Sequence, residues 1–129
     1  MSVVRGKILV VDDEEDLCRL LTESLRLEGF QVAAATSGRE ALALVEQEPP
    51  DLIILDLAMP EMDGIETLRR IRERGVTAKV VILTAYGTAQ RAREAMALGV
   101  REFLGKPFEL DRLLRLVSEE MGEAGMSEE

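Results

Sequence analysis

The feature that most constrains the fold is a regular alternation between short strand patterns and longer segments of helical periodicity. Continuous runs of Val, Ile and Leu at 8–11, 52–55 and 80–83 are typical of buried strands. A segment with an apolar residue every three or four positions follows each predicted strand. The five predicted strands are 8–11, 30–35, 51–56, 79–84 and 102–104.

Five strand–helix repeats predict parallel strands joined by right-handed crossover helices. We therefore expect an α/β fold of the flavodoxin-like kind, an open three-layer sandwich with a parallel sheet in the order 2-1-3-4-5, which is the order described for that class. The length of 129 residues suits one domain. That domain is expected over 1–121, and 122–129 is expected to be a flexible tail or the start of a linker.

Composition excludes several functions. Histidine is absent, which excludes a His-triad hydrolase, a histidine-ligated zinc site and a phosphohistidine donor. The net charge of −9 would repel phosphate backbones, so no direct binding of nucleic acid is expected. No apolar run reaches membrane-spanning length, no signal-peptide pattern opens the sequence, and the one cysteine cannot form an internal disulfide. These features predict a cytoplasmic location without membrane association.

Side chains that can bind a metal ion or take part in a reaction lie where the predicted strands end. Asp12 and Asp13 follow the first strand, Asp56 ends the third, Thr84 ends the fourth and Lys106 follows the fifth. Because the carboxyl ends of parallel strands meet at one edge of a sheet, these side chains should surround one crevice. Crowded carboxylates need a cation, and Mg²⁺ prefers such oxygen ligands. A lysine and a hydroxyl are donors for a phosphoryl group, and a carboxylate such as Asp56 can form an acyl phosphate.

Each of these residues also has a simpler explanation when it is taken alone. Asp13 could cap the first helix, Thr84 could be an ordinary strand-end residue, and Lys106 could be a solvated surface charge. Asp56 is harder to explain in this way, because it interrupts a run of buried apolar residues. The joint occurrence of these residues at the ends of four predicted strands favours a functional site.

Four segments that carry these residues resemble the receiver domains of two-component response regulators. The segments are ILVVDDE at 8–14, DLIILDLAMPEMDG at 51–64, VILTAYG at 81–87 and FLGKPF at 103–108. The resemblance covers roughly 7–121. The sequence TAYGT at 84–88, followed by FLGKPF at 103–108, is most similar to receivers attached to ATP-dependent transcriptional activators. The chain could be a stand-alone receiver or one domain of a longer protein.

The resemblance implies a phosphorylation site with a metal ion beside it. Asp56 matches the phosphoacceptor of the family. Asp12 and Asp13 match the acidic pair that holds Mg²⁺, with Asp13 as the direct ligand. Asp56 itself and the backbone carbonyl of Ala58 complete the protein ligands, and Lys106 matches the lysine that binds the phosphoryl group.

The resemblance also implies a switch and its partners. Thr84 matches the switch hydroxyl, and Phe103 matches the switch aromatic, which should point outward before phosphorylation. The bond from Lys106 to Pro107 should be cis. The phosphoryl group would come from a sensor histidine kinase, a phosphotransfer protein or a small acyl phosphate. The fourth helix, fifth strand and fifth helix would then change to control an output domain or target protein, with a homodimer on activation left open.

The expected function is therefore signalling, and the only catalysis expected is the domain's own phosphorylation and slow dephosphorylation. Two residues predict the slow loss of the phosphoryl group. Ala58 has no polar group with which to orient a water molecule, and the ring of Tyr86 should partly cover the phosphoryl oxygens. The alternative for Tyr86 is that it only packs against the fourth helix.

Three other functions are compatible with a similar sheet. A phosphatase of the haloacid-dehalogenase class uses an acid two residues after its nucleophile, where this chain has Ala58. A flavin mononucleotide module needs a phosphate-binding loop, whereas the acidic stretch at 12–16 would repel phosphate. A purely structural interaction domain would leave the carboxylates unexplained. Mg²⁺-dependent phosphorylation would separate the receiver from all three.

Overall fold

The structure is a computed structural model that describes residues 5–85 and 88–122. The prediction for Tyr86 therefore lies outside the described residues, as does the predicted tail apart from Gly122. Strands and helices alternate along the described residues. They are β1 (Lys7–Val11), α1 (Glu15–Leu27), β2 (Gln31–Ala35), α2 (Gly38–Gln47), β3 (Leu52–Leu55), α3 (Gly64–Glu73), β4 (Lys79–Thr84), α4 (Ala89–Ala97), β5 (Val100–Gly105) and α5 (Leu110–Glu120).

The sheet confirms the predicted strand order. Its five strands are parallel and lie in the order β2-β1-β3-β4-β5. Val11 of β1 pairs with Leu55 of β3, so the residues that follow these two strands emerge side by side. Thr84 of β4 pairs with Gly105 of β5 in the same way. This register brings the ends of four strands to one edge of the sheet.

Two apolar cores cover the two faces of the sheet, because successive residues of a strand point to opposite sides. On one face, β-strand residues such as Leu9, Ile53 and Ile82 pack with α2, α3 and α4. On the other face, residues such as Ile8 and Ile54 pack with α1 and α5. The central strands are buried on both sides, which explains their continuous apolar sequences. The arrangement confirms the predicted three-layer sandwich.

Two details differ from the sequence-based expectations. β5 is longer than predicted. It lies at the edge of the sheet, where exposed residues such as Arg101 and Glu102 interrupt its apolar pattern, so the sequence pattern underestimates its length. The suggestion that Asp13 could cap the first helix is wrong, since the N-cap of α1 is Glu14, whose side chain makes no capping hydrogen bond. None of the helices within 5–85 and 88–122 has the length and apolar character needed to cross a bilayer.

The segment Ser37-Gly-Arg-Glu40 forms a modified capping box at the start of α2. The Ser37 hydroxyl accepts a hydrogen bond from the backbone N–H of Glu40 at 3.1 Å. The Glu40 carboxylate reaches back to the N–H of Thr36 at 2.8 Å, one residue before the N-cap. Both bonds satisfy backbone donors at this end of the helix, as a capping box does.

Candidate functional site

Three carboxylates meet where β1 and β3 end. Asp12, Asp13 and Asp56 each offer an oxygen atom, and these atoms all lie within 4.8 Å of one another. Asp12 and Asp56 are only 2% and 4% exposed, whereas Asp13 lies exposed at the mouth of the site. The β1–β3 register produces this cluster, since the backbone N–H of Asp56 donates to the carbonyl of Val11 at 2.9 Å.

Lys106 enters the cluster from the end of β5. Its Nζ donates to Oδ2 of Asp12 at 2.7 Å and lies 3.7 Å from Oδ2 of Asp56. The Glu14 carboxylate lies 3.8 Å from the same ammonium. The remaining oxygens also have backbone partners: Oδ1 of Asp12 accepts from the N–H of Glu14, and Oδ1 of Asp56 accepts from the N–H of Ala58. A single lysine therefore provides the counter-charge that two buried carboxylates share.

The charges in this cluster shift two pKa values. Burial and the neighbouring Asp12 raise the pKa of Asp56, although the Ala58 N–H and the Lys106 ammonium oppose the shift. Burial acts to lower the pKa of Lys106, but its hydrogen bond to Asp12 and the surrounding carboxylates outweigh burial and raise it. Lys106 therefore remains protonated at neutral pH, and the cluster carries excess negative charge.

The donor set fits a divalent cation with a preference for oxygen ligands. Asp12, Asp13 and Asp56 supply carboxylate oxygens at close range, and the described residues place no histidine or thiol ligand among them. Mg²⁺ is bound by one or two carboxylates together with water and phosphate oxygens, which a partly open cluster of this kind permits. The structure thus contains an acidic site that could hold a metal ion.

The other predicted site residues lie on neighbouring strands. Thr84 is buried at the end of β4, and its carbonyl accepts a hydrogen bond from the N–H of Lys106 at 3.0 Å. Phe103 is exposed on β5 and pairs in register with Ile82. The Lys106–Pro107 peptide bond is cis, as the resemblance implies.

Two contacts to the site were not predicted from the sequence. Nη2 of Arg91, in the first turn of α4, lies 3.3 Å from the carbonyl of Leu57 and 3.4 Å from the carboxylate of Asp63. The Cys18 thiol lies beneath the site and donates to the carbonyl of Asp12 at 3.2 Å. The pattern Asp63-Gly-Ile-Glu66 could have marked a helix start, but no sequence signal pairs Arg91 with residues about thirty positions away.

A comparison with known families identifies this arrangement. The family model of the response regulator receiver domain matches residues 8–118 of the sequence. The chain is a member of this receiver domain family. The receiver fold is also found in the solved structure of the Vibrio cholerae chemotaxis protein CheY4, with a TM-score of 0.83 and 31% identity, which covers 88% of this chain and 97% of that one.

Similar proteins contain the receiver in two contexts. The receiver is 37% identical over 124 residues to the regulatory protein AtoC of Escherichia coli, which covers 96% of this chain and 27% of that protein. It is 41% identical over 111 residues to sporulation initiation phosphotransferase F of Bacillus subtilis, which covers 86% of this chain and 90% of that protein. The chain thus spans about a quarter of the first relative and nearly all of the second. It is also 40% identical over 128 residues to the transcriptional regulatory protein ZraR of Klebsiella oxytoca, which covers 99% of this chain and 29% of that protein, so the predicted similarity to receivers of transcriptional regulators is confirmed.

Proposed function

We propose that this receiver domain is a phosphorylation-dependent switch that accepts a phosphoryl group on Asp56. The observation that carries the proposal is the Lys106 ammonium, which bridges Asp12 and the buried carboxylate of Asp56. Asp12, Asp13, Asp56 and the backbone carbonyl of Ala58 would hold Mg²⁺. When bound, the metal ion supplies positive charge beside the phosphoryl oxygens.

The chemistry requires little more than positioning and charge. A carboxylate oxygen of Asp56 attacks phosphorus, and the bond from phosphorus to the donor's histidine nitrogen or acyl oxygen breaks. The bond from the Ala58 N–H to Oδ1 fixes the carboxylate plane and leaves Oδ2 on the side of Lys106. Lys106 can then pair with an oxygen of the incoming group, since its ammonium has three donors.

The phosphosite is tested with a small acyl phosphate. Incubation with acetyl phosphate and Mg²⁺ should add one phosphoryl group to the wild-type protein, and Asp56→Asn should abolish the uptake. Asp51→Asn is the control, because Asp51 lies at the opposite end of the same strand, where its carboxylate accepts from the N–H of Lys7. Intact mass and peptide mapping provide the measurement. A phosphoryl group on another residue of the wild-type protein would overturn the assignment.

Thr84 and Phe103 are proposed to convert phosphorylation into a change of surface. A phosphoryl group on Asp56 would favour the conformation in which the Thr84 hydroxyl turns inward and Phe103 follows it. With acetyl phosphate and Mg²⁺, Thr84→Ala should still accept the phosphoryl group. Phosphorylation should, however, change its affinity for a partner protein much less than it changes the affinity of the wild type. Unchanged partner binding by the phosphorylated variant would contradict the coupling.

The partners follow from the same proposal. A sensor histidine kinase or a phosphotransfer protein would supply the phosphoryl group, and the surface of α4, β5 and α5 would act on an output domain or target protein, with a homodimer as one active form. Direct binding of nucleic acid by this domain is not expected, given the net charge of −9. A cytoplasmic location, and a receiver domain over 1–121 with a tail or linker from 122, remain part of the proposal.

The lifetime of the phosphoryl group is proposed to be long. Ala58 offers no side-chain group that could orient a hydrolytic water molecule, and Tyr86 is expected to cover part of the phosphoryl group. Ala58→Asn and Tyr86→Glu should therefore speed the loss of phosphate by about tenfold or more, which is modest beside the roughly 10²–10⁴-fold effect of a positioned acid–base group. The decay rate of the purified phosphorylated protein measures the effect. Equal or slower decay in both variants would show that these side chains do not control access of water.

A further inference from the structure

The loop at 57–63 joins the proposed phosphoacceptor to α3, and Arg91 of α4 contacts both of its ends. At the first end, Nη2 of Arg91 donates to the carbonyl of Leu57 at 3.3 Å. At the C-terminal end of the loop, the same Nη2 atom lies 3.4 Å from Oδ2 of Asp63. A guanidinium suits this position, because its planar set of donors can serve two acceptors from one place. Arg91 thus bridges the two ends of the loop from outside.

Both acceptors of Arg91 also take part in the local backbone structure. The Leu57 carbonyl accepts a second hydrogen bond, from the N–H of Gly64 at 2.9 Å. Oδ1 of Asp63 accepts from the N–H of Glu66 at 2.9 Å, so Asp63 is the N-cap of α3. The arginine therefore acts on the two groups that fix where the loop leaves β3 and where α3 begins.

The position of this loop determines the geometry at Asp56. The N–H of Ala58, the second residue of the loop, donates to Oδ1 of Asp56 at 3.2 Å. At the other end of the loop, Gly64 packs so closely on the backbone of Asp56 that an added Cβ would lie 2.4 Å from the Asp56 carbonyl oxygen. A shift of the loop would therefore move the Ala58 backbone relative to the Asp56 carboxylate.

We propose that Arg91 is a positioning residue for phosphoryl transfer, which acts from α4 through Leu57 and Asp63 to hold the Ala58 backbone in place beside Asp56. The proposal rests on the proposed function of Asp56. It also makes α4 part of the structure that orders the site, since Arg91 lies in its first turn. Loss of the arginine should loosen the loop while leaving the residues of the acidic cluster unchanged.

The variants separate this role from a general loss of charge. Arg91→Ala removes both contacts, and Arg93→Ala is the matched control, because Arg93 is an exposed arginine of the same helix. Asp63→Asn removes the charge that faces Arg91 and keeps a residue that caps helices well. Arg91→Lys keeps the charge but lacks the planar donor set, so it should rescue only in part.

Two measurements report on the loop without phosphorylation. In the metal-free protein, the Gly64 amide should exchange about two- to fivefold faster in Arg91→Ala, the range expected for a partly exposed ion pair, while the Ile54 amide in β3 stays unchanged. The dissociation constant for Mg²⁺, measured by calorimetry, should rise by a similar factor. Asp63→Asn should give smaller changes in the same direction, because Arg91 keeps its hydrogen bond to the Leu57 carbonyl. The double variant should match Arg91→Ala.

Phosphorylation by acetyl phosphate completes the test. At limiting Mg²⁺ the rate should fall in Arg91→Ala, and saturating Mg²⁺ should largely restore it. Equal effects in Arg93→Ala, additive effects in the double variant, or faster exchange at Ile54 as well as Gly64 would overturn the positioning role. A wild-type protein that takes no phosphoryl group on Asp56, while the exchange and Mg²⁺ shifts still appear, would refute the proposed function and leave the contact of Arg91 with the loop supported.

Discussion

Replacing Gly64 by alanine should lower the free energy of unfolding by about 3 kcal/mol, the upper part of the range for overpacking. The reason is steric. A Cβ at this position would lie 2.4 Å from the carbonyl oxygen of Asp56 and 2.6 Å from the Cα of Leu57. Both are backbone atoms at the end of the central strand β3, so no side-chain rotation can relieve the clash. Urea denaturation followed by circular dichroism measures the change.

Gly105→Ala is the control for this substitution. No atom lies within 4 Å of a Cβ built on Gly105, which ends β5 at the edge of the sheet. Its free energy of unfolding should stay within about 0.5 kcal/mol of the wild type, as for most surface substitutions. If Gly64→Ala and Gly105→Ala unfolded at the same urea concentration, α3 could not be packed against the phosphoacceptor strand as tightly as described.

Replacing Lys106 by methionine should lower the free energy of unfolding by about 3 kcal/mol at neutral pH without metal ions, the cost of removing one partner from a buried ion pair. Methionine keeps much of the apolar length of the side chain but removes the only ammonium that contacts both Asp12 and Asp56 among the described residues. The two buried carboxylates then face each other without a counter-charge. Denaturation in the presence of a chelator measures the effect.

The loss should depend on pH in a defined direction. Lys106 lowers the pKa of Asp56, which is already raised above its ordinary value of 3.8, so its removal raises that pKa further. A carboxyl group with a raised pKa binds its proton more tightly in the folded protein, and stability then falls as the pH rises from the ordinary to the raised value. The variant should therefore approach the wild type in acid and differ most at neutral pH.

Two comparisons identify the cause. Lys79→Met removes the same charge at the exposed start of β4, where Nζ donates to the carbonyl of Glu120, so it should cost little and show no such pH dependence. Mg²⁺ should narrow the gap between Lys106→Met and the wild type, because the carboxylates of the variant no longer pair with an ammonium and should bind the cation more tightly. A ligand that binds the folded state more tightly stabilises it more. A gap that is independent of both pH and Mg²⁺ would assign the loss to packing instead of charge.

The sequence predicts the sheet and the acidic cluster well, because buried parallel strands leave a direct signal. The continuous runs in β1 and β3 fix the burial of these strands, and the residue that ends each run, Asp12 or Asp56, must then lie at the same edge. The extent of β5 is less predictable, since an edge strand such as this one carries exposed residues in its middle. Its sequence therefore resembles a loop as much as a strand.

The contacts of Arg91 could not be predicted in this way. Leu57 and Asp63 precede it by 34 and 28 positions, and only the packing of α4 beside α3 brings them together. Asp13 shows the opposite limitation: the sequence places it correctly in the cluster, but local pattern alone also allowed it to be the N-cap of α1, a position that Glu14 in fact occupies. Local signals identify residues that could act, and tertiary packing decides which partner each one meets.

The buried thiol of Cys18, beneath Asp12, offers a way to measure local opening of this domain. Burial and the charge of Asp12 raise the pKa of Cys18 to about 11, so at neutral pH the sulfur is both covered and protonated. Because Cys18 is buried on α1, a thiol reagent should reach it when α1 moves away from the sheet, and the sequence has no second cysteine to compete for the reagent. The rate of thiol labelling at Cys18 in the native protein should therefore report how often α1 opens beside the acidic cluster, and no probe has to be introduced into the chain.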